Sequence, residues 1–234
     1  MSISVVLVRP QLALNIGAVA RVMSNTGFAD LRLVLPKQNH LSDEVLDIST
    51  HAKDILKNAK VYKSLGEAVA DADFVVMTTA RNRDVVKVEI TPAEISDEMH
   101  KFSRSCIVFG PERTGVTNEE LVLANRTVTI PSHGNSSYNL SHAAAIILYL
   151  ISAKNSSQNT KKYSGSRVAS SAELQNFMDV IEGILLDIEY FKEENKKKRQ
   201  IINIKNIFTK NIFSKQDIQT LTGVVKRLKS YKKQ

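Results

Sequence analysis

Cysteine is nearly absent from this sequence. The one cysteine in 234 residues, Cys106, excludes an internal disulfide and a cysteine-rich metal site, and it fits a reducing compartment. Long hydrophobic runs are absent too, since the most apolar stretch, 143–153, has about half of the roughly 20 residues that a membrane-spanning helix needs. The first residues lack the charged start and apolar stretch of a secretory signal. We therefore expect a cytoplasmic protein that does not enter a membrane.

An excess of acidic residues is also absent, because the formal net charge is +8. The positive charge is not spread evenly along the chain. Residues 1–154 carry 16 Lys and Arg against 16 Asp and Glu, whereas residues 155–234 carry 16 against 8. A neutral first part followed by a basic part suggests contact with a polyanion, since Lys and Arg displace counterions from nucleic-acid phosphates. The alternative is a solvated helical face.

Short apolar or β-branched runs alternate with segments of helical spacing. The runs are 3–8, 31–35, 74–78, 106–109 and 127–130. This alternation predicts an α/β fold with a mainly parallel sheet and helices on both faces. The spacing also predicts a helix capped by Asn15 and ended by Gly27, and short helices opening at Ser64 and Thr117. A further helix over 139–153 is apolar almost all round and is expected to be buried.

The last third of the chain has a different pattern. Polar residues without periodicity predict a linker over 156–170. Apolar residues at helical spacing over 171–193, followed by segments at 200–212 and 215–231, predict a small helical extension. The basic run 196–199 is expected between its first two helices. We therefore divide the chain into a domain over 1–155, a linker over 156–170 and a basic extension over 171–234.

Three motifs each follow or adjoin a strand-like run, where an open α/β sheet presents its loops to a ligand. The first, 15–21, combines the amide of Asn15, the small Gly17 and the planar cation of Arg21, which suit phosphate or ribose. The second, 110–121, is a turn with two glycines, a proline and a Glu-Arg pair. The third, 130–142, places hydroxyl and amide groups immediately before the buried helix. Together the motifs indicate an enzyme.

Each motif also has a structural interpretation. The first can be a capped surface helix with a structural arginine, and the second a tight connection from strand to helix, although that leaves its charged pair unexplained. We expect Glu112 of that pair to be held by Arg113 or another nearby cation. In the third motif Ser137 or Asn139 can cap the following helix, which does not exclude ligand binding.

In this order and at these distances the motifs resemble the signatures of the SPOUT-class RNA 2′-O-methyltransferases, and most closely the TrmJ-like tRNA branch of the TrmH family. The resemblance covers nearly the whole chain, including residues 6–10, 31–36 and 78–83. It implies a SPOUT-type parallel sheet with a C-terminal trefoil knot that binds S-adenosylmethionine. It also implies a homodimer that methylates a ribose 2′-hydroxyl of tRNA, with cytidine or uridine at anticodon-loop position 32 as the expected target.

The resemblance also assigns roles to individual residues. Arg21 is implied to be most directly engaged in catalysis, with Asn15, Ser137 and Asn139 as further catalytic candidates. A guanidinium is a poor proton acceptor at neutral pH, so we expect Arg21 to bind a phosphate and orient the ribose hydroxyl. The residues implied to contact the cofactor are Thr78, Thr79, Ala80, Gly110, Glu112, Ile130, Ser137, Tyr138 and Asn139. The residues assigned to the RNA are Arg9, Arg81, Arg83 and Arg113.

Other functions remain as alternatives at this stage. One is a ribosomal-RNA 2′-O-methyltransferase of the same fold, and another is an RNA-binding protein without activity. A dinucleotide-binding oxidoreductase lacks support, since no G-x-G-x-x-G follows the first strand. We expect no metal, because His133 and His142 have no third ligand close in sequence. Tyr138 stands where leucine is usual in the branch, and residues 209–211 also depart from its commonest pattern.

Overall fold

The computed structural model describes residues 1–80, 85–133, 137–153 and 166–231. Seven strands form one sheet. They are β1 (Ser2–Val8), β2 (Asp30–Val34), β3 (Lys60–Tyr62), β4 (Phe74–Thr78), β5 (Val88–Ile90), β6 (Arg104–Phe109) and β7 (Arg126–Val128). All neighbouring pairs are parallel, and the order across the sheet is β3-β2-β1-β6-β4-β7-β5. The predicted α/β class is confirmed. The two edge strands, β3 and β5, were not predicted.

Helices cover both faces of the sheet. Those of the first part are α1 (Ala13–Thr26), α2 (Asp43–Ser49), α3 (Lys53–Lys57), α4 (Leu65–Val69), α5 (Ile95–Met99), α6 (Asn118–Leu121) and α7 (Leu140–Ala153). Successive strand residues point to opposite faces. Leu7 of β1 accordingly packs with α1 and α7 on one face, whereas Val6 and Val8 pack with α4 and α6 on the other.

The ends of the helices correct one prediction. Helix α1 begins at Ala13, and its N-cap, Leu12, makes no side-chain capping hydrogen bond. The predicted cap by Asn15 is therefore wrong, because Asn15 lies in the first turn of α1 and its side chain bonds to another segment. Gly27 ends α1 in the left-handed conformation, with φ 81°, as predicted. The capping box predicted at Thr117 is also present.

Gly17 allows α1 to pack closely against α2. A Cβ atom at this position would lie 2.7 Å from the carbonyl oxygen of Val45. Such a distance is shorter than van der Waals contact, so any larger side chain would push the two helices apart. The small size of Gly17 therefore serves helix packing.

The extension consists of α8 (Ser171–Asp187), α9 (Glu194–Thr209) and α10 (Lys215–Tyr231). The first of these helices ends six residues earlier than the predicted 193, and the basic run 196–199 lies inside α9 rather than before it. Lys and Arg are good helix formers, which explains why this charged run is helical. Among the described residues, none of these helices or those of the first part has the length and apolarity needed to cross a bilayer.

The extension has a small core of its own and also binds to the sheet domain. Its buried side chains are Leu174, Phe177, Met178 and Ile218, with Ala169 beside them. The backbone N–H of Ser171 donates to the carbonyl of Ala72 at 2.8 Å, and the Asn125 side chain donates to the carbonyl of Thr209 at 3.2 Å. Hydrogen bonds at both ends of the α8–α9 pair therefore fix the extension against the sheet domain.

The predicted linker lies mostly outside the described residues, which resume at residue 166. Its described end is not a free segment. Val168 forms an antiparallel bridge with Ser214, and the N–H of Ala169 donates to the carbonyl of Phe213 at 2.8 Å. Residues 167–169 therefore belong structurally to the extension.

Candidate active site

A cleft lies at the carboxyl ends of the adjacent strands β6, β4 and β7. Parallel strands present their following loops at one edge of the sheet, which is where α/β proteins bind ligands. The lining residues are Thr78, Thr79, Ala80, Phe109, Gly110, Pro111, Glu112, Gly115, Val116, Ile130, Ser132, Ser137, Tyr138, Leu140 and Ala143. The cleft thus brings together loops that are far apart in sequence.

The turn after β6 forms one wall of the cleft. A Cβ atom on Gly110 would lie 2.7 Å from the backbone nitrogen of Val116, so the turn folds back on itself at a distance that only glycine allows. Gly115 has a left-handed φ of 65°, and its N–H donates to the carbonyl of Pro111 at 2.9 Å. Both glycines are therefore required by the backbone path of this turn.

Glu112 connects this turn to α1. Its Oε1 accepts a 2.6 Å hydrogen bond from Nδ2 of Asn15, and its Oε2 accepts one from the backbone N–H of Gln11 at 3.2 Å. The expectation that Arg113 or another cation holds Glu112 is wrong, since an amide side chain and a backbone N–H from the first motif bind it instead. The first and second motifs are thus joined directly, and Asn15 is buried in this contact with 4% of its surface exposed.

A second contact joins the start of the chain to the second motif. Both terminal nitrogens of Arg9 bind the carboxylate of Glu120 in α6, one of them at 2.8 Å. Burial alone would raise the pKa of Glu120, but hydrogen bonds from Arg9 and from the Thr117 N–H outweigh it and lower that pKa. Arg9 also has a left-handed φ of 47°, a strained conformation for a non-glycine residue that the surrounding structure must maintain.

The third motif contributes the opposite wall. The hydroxyl of Tyr138 donates to the carbonyl of Pro131 at 3.3 Å and so closes the loop on itself. Asn139 does not line the cleft. Its Oδ1 accepts from the N–H of Ser141 at 2.9 Å and from the hydroxyl of Ser141 at 2.7 Å, which caps the start of α7.

The arginines expected to act on RNA do not line the cleft where the structure describes them. Arg21 is exposed on α1 and is not among the lining residues. Arg113 is exposed on the turn after β6. Arg9 is paired with Glu120, with 29% of its side chain exposed. Arg81 and Arg83 lie outside the described residues.

Several residues of the cleft were missed by the sequence analysis. Phe109, Pro111, Gly115 and Val116 belong to β6 and its turn, and Leu140 and Ala143 to the first turn of α7. The glycine and the proline lie within the second motif, so that motif already contained a signal for them. Across the described residues no group of three or more His, Cys, Asp or Glu side chains is placed to bind a metal ion.

The family model for the SpoU rRNA methylase family matches residues 2–149, which span the sheet and most of α7. The chain belongs to the SpoU methylase family. This membership identifies the protein as a methyltransferase and confirms the family predicted from the three motifs. The matched region contains every lining residue of the cleft.

Individual relatives of this SpoU methylase agree with that assignment. It is 42% identical over 157 residues to a tRNA (cytidine-2′-O-)-methyltransferase, TrmJ, from Methanocaldococcus jannaschii, an alignment that covers 65% of this chain and 68% of that protein. The crystal structure of TrmJ from Z. mobilis ZM4 has a TM-score of 0.88 and 32% identity, and covers 97% of this chain and 99% of that one. The extension is therefore part of the structural similarity.

A more distant structure shares the fold of the sheet domain. The SpoU methyltransferase AviRb from Streptomyces viridochromogenes, solved in complex with the cofactor AdoMet, has a TM-score of 0.53 and 22% identity, over 65% of this chain and 60% of that chain. At this identity the similarity shows the fold alone.

Proposed function

We propose that this protein transfers the methyl group of S-adenosylmethionine to a ribose 2′-hydroxyl of tRNA, with cytidine or uridine at anticodon-loop position 32 as the target. The observation that carries the proposal is the convergence of eight of the nine implied cofactor residues, all except Asn139, on one cleft. Those residues are Thr78, Thr79, Ala80, Gly110, Glu112, Ile130, Ser137 and Tyr138. The relatives named TrmJ support the choice of tRNA and of the ribose. The proposal includes a cytoplasmic location, which a tRNA substrate supports.

The cleft fits the proposed cofactor. Gly110 has no side chain to block the backbone of the turn. Beside the apolar side chain of Ile130, the hydroxyl of Ser137 offers a hydrogen bond, and the hydroxyl of Thr78, which donates to the carbonyl of Val108 at 3.2 Å, can still accept one. When bound, S-adenosylmethionine supplies an electrophilic methyl group. The task of the protein is then to align the ribose oxygen with that methyl group, and alignment alone can contribute several kcal/mol.

The four catalytic candidates lie at different places relative to the cleft. Ser137 lines the cleft, where its hydroxyl can contact the cofactor or the ribose. Asn15 and Asn139 act through other residues, because Asn15 binds Glu112 and Asn139 caps α7. Arg21, exposed on α1, would bind an RNA phosphate and orient the hydroxyl. Its charge lowers the pKa of a nearby hydroxyl group, while the proton leaves to water or phosphate.

The proposal includes a homodimer. Arg21 lies outside the cleft of its own chain, on a helix that also exposes Leu14. Tyr149 is 63% exposed on α7, which packs against α1. Exposed apolar side chains on two adjacent helices suit contact with a second copy, in which Arg21 of one subunit would serve the cleft of the other. The trefoil knot also belongs to this proposal, and the position of β4 between β6 and β7 supports it.

The test is an assay of methyl transfer with defined products. Purified protein is incubated with bulk tRNA and methyl-labelled S-adenosylmethionine, and the RNA is digested to nucleosides for mass spectrometry. We expect label in 2′-O-methylcytidine or 2′-O-methyluridine, and loss of at least 100-fold in rate for Arg21→Ala. Arg227→Ala, which removes an exposed arginine of α10, is the matched control and should keep the wild-type rate.

Two results would contradict the proposal. Label on a base would show that the ribose is not the acceptor. Label that enters ribosomal RNA but not tRNA would show that ribosomal RNA is the substrate.

A further inference from the structure

A groove runs from the candidate active site to the helical extension. One wall is the turn and helix at 114–119, and the other is the first half of α9. Its lining residues are Val85, Thr114, Gly115, Val116, Thr117, Asn118, Glu119, Asn195, Lys198, Arg199, Ile202 and Asn203. Gly115 and Val116 line both the groove and the cofactor cleft, so the two spaces meet at the turn after β6.

We propose that this groove binds the phosphate backbone of the same RNA whose ribose enters the cleft, and that Arg199 is its principal phosphate contact. This inference rests on the proposed function, because it takes the substrate to be an RNA. It adds a binding surface formed jointly by the sheet domain and the extension.

The chemistry of the walls supports a polyanionic ligand. Lys198 and Arg199 supply positive charge, and the side chains of Asn195 and Asn203 supply amide donors next to them. Arg and Lys bind phosphate oxygens, while amides and hydroxyls bind both phosphate and ribose. The opposite wall adds the side chain of Asn118.

The charges of the groove are not equally available. Lys198 is paired with Glu119 across the groove, and this contact is the main cause that lowers the pKa of Glu119 to about 2. Arg199 is exposed and forms no ion pair with any described residue. Among the described residues that line the groove, Arg199 is therefore the cation without an ion pair, and Lys198 is neutralised by a carboxylate on the facing wall.

The arrangement predicts effects of opposite sign from two substitutions. Arg199→Ala removes the unpaired cation, and we expect tRNA affinity to fall about five- to tenfold. The slope of log K against log salt concentration should also become shallower, by about the amount that one phosphate contact contributes. Glu119→Gln removes the opposing carboxylate and releases Lys198, so we expect affinity to rise about two- to fivefold with a steeper salt dependence. Arg199→Lys keeps the charge and should retain most of the affinity.

The experiment measures binding of an unmodified tRNA transcript by fluorescence anisotropy between 50 and 200 mM KCl, an ionic range in which phosphate contacts have strong effects (about 10³- to 10⁵-fold for proteins with many contacts). Arg227→Ala is the charge-matched control and should change affinity less than twofold. Calorimetric affinity for S-adenosylmethionine should be the same in all variants, which separates RNA binding from damage to the cleft.

Two outcomes would contradict the proposal that the groove binds RNA. One is that Arg199→Ala and Arg227→Ala change tRNA affinity equally. The other is that Glu119→Gln does not raise tRNA affinity. If methyl transfer to tRNA continues in the wild type under either of those outcomes, the proposed function stands without the groove. If the affinities change as expected but the wild type transfers no methyl group to tRNA, the groove stands and the proposed function fails.

Discussion

The side chains of Asn15 and Glu112, which are 97 residues apart in sequence, are joined by a hydrogen bond of 2.6 Å between Nδ2 and Oε1. Asn15 belongs to the helix that carries Arg21, and Glu112 belongs to the turn that walls the cleft. The bond therefore fixes the first turn of α1 against the turn that walls the cleft.

We predict that Asn15→Ala weakens binding of S-adenosylmethionine about tenfold. The substitution removes a donor to a carboxylate, and hydrogen bonds to charged groups contribute roughly 1.5–3 kcal/mol. Glu112 would keep only its bond from the Gln11 N–H, so the turn would become less well positioned. Titration calorimetry measures the affinity directly.

The control is Asn25→Ala, on the same helix. Asn25 is exposed and bonds to His51 on the surface, so its loss should leave cofactor affinity unchanged. If Asn15→Ala binds the cofactor as tightly as Asn25→Ala does, the contact with Glu112 has no part in shaping the cleft.

A second prediction concerns two glycines with different surroundings. The Cβ atom of Gly110→Ala would lie 2.7 Å from the backbone nitrogen of Val116, so the turn must shift and cofactor affinity should fall at least tenfold. At Gly183 in α8, by contrast, an added Cβ atom would have no neighbouring atom within 4 Å. Gly183→Ala should therefore leave binding unchanged and raise the free energy of unfolding by about 0.5–1 kcal/mol, since alanine favours helix. Calorimetry and urea denaturation on both variants measure these effects. If Gly110→Ala binds the cofactor as tightly as the wild type, the prediction for Gly110 is wrong. If Gly183→Ala is less stable than the wild type, the prediction for Gly183 is wrong.

The sequence predicted most of the cleft because its residues follow strands with clear apolar patterns. β4, β6 and β7 were visible as runs, and the loops after parallel strands meet at one edge of the sheet. The partner of Glu112 was not predictable in this way. Its sequence neighbour Arg113 was the obvious cation, yet the fold presents Asn15 from the start of the chain.

Local backbone geometry explains the errors in the extension. The stripe of apolar residues over 171–193 predicted one long helix, but α8 ends at Asp187 and Glu189 has a left-handed φ of 53°. Glutamate is not a residue that marks such a conformation in a sequence. The cap of α1 was misplaced for a related reason, since Asn is a strong capping residue and only the tertiary contact with Glu112 shows that this Asn is used elsewhere.

A third prediction concerns the ion pair between Arg9 and Glu120. We expect Arg9→Ala and Glu120→Ala each to lower the free energy of unfolding, and the double variant to lose less than the sum. The non-additive part should be on the order of 1 kcal/mol, because the pair is bidentate and only partly exposed. A double-mutant cycle from urea denaturation gives the coupling. Strictly additive effects would show that the pair does not hold α6 against the end of β1.

The last prediction concerns Lys87, whose ammonium lies where the extension meets the sheet domain. Its Nζ donates to the carbonyl of Val122 at 3.0 Å and to the hydroxyl of Thr209 at 2.6 Å. Burial is the main cause that lowers the pKa of Lys87 to about 7, and the nearby charges of Lys210 and Arg126 lower it further. Lys87 is therefore largely neutral in the folded protein above that pH.

In the unfolded chain Lys87 regains an ordinary pKa of about 10.4. Between pH 7 and 10 the unfolded state then binds more protons than the folded state, so the free energy of unfolding should rise with pH, by at most about 1.4 kcal/mol per pH unit. Lys87→Met removes this contribution. Its stability relative to the wild type should be most favourable at pH 7 and should decline steadily towards pH 10.

Urea denaturation at pH 7, 8, 9 and 10 measures the difference. The lost hydrogen bonds to Val122 and Thr209 add an offset to the stability of Lys87→Met, but the slope with pH reports the titration of the lysine alone. Lys57→Met is the control, because the Lys57 side chain is 63% exposed, and its curve should run parallel to that of the wild type. If the Lys87→Met curve is parallel as well, Lys87 titrates alike in the folded and unfolded states, and burial between the sheet domain and the extension does not neutralise it.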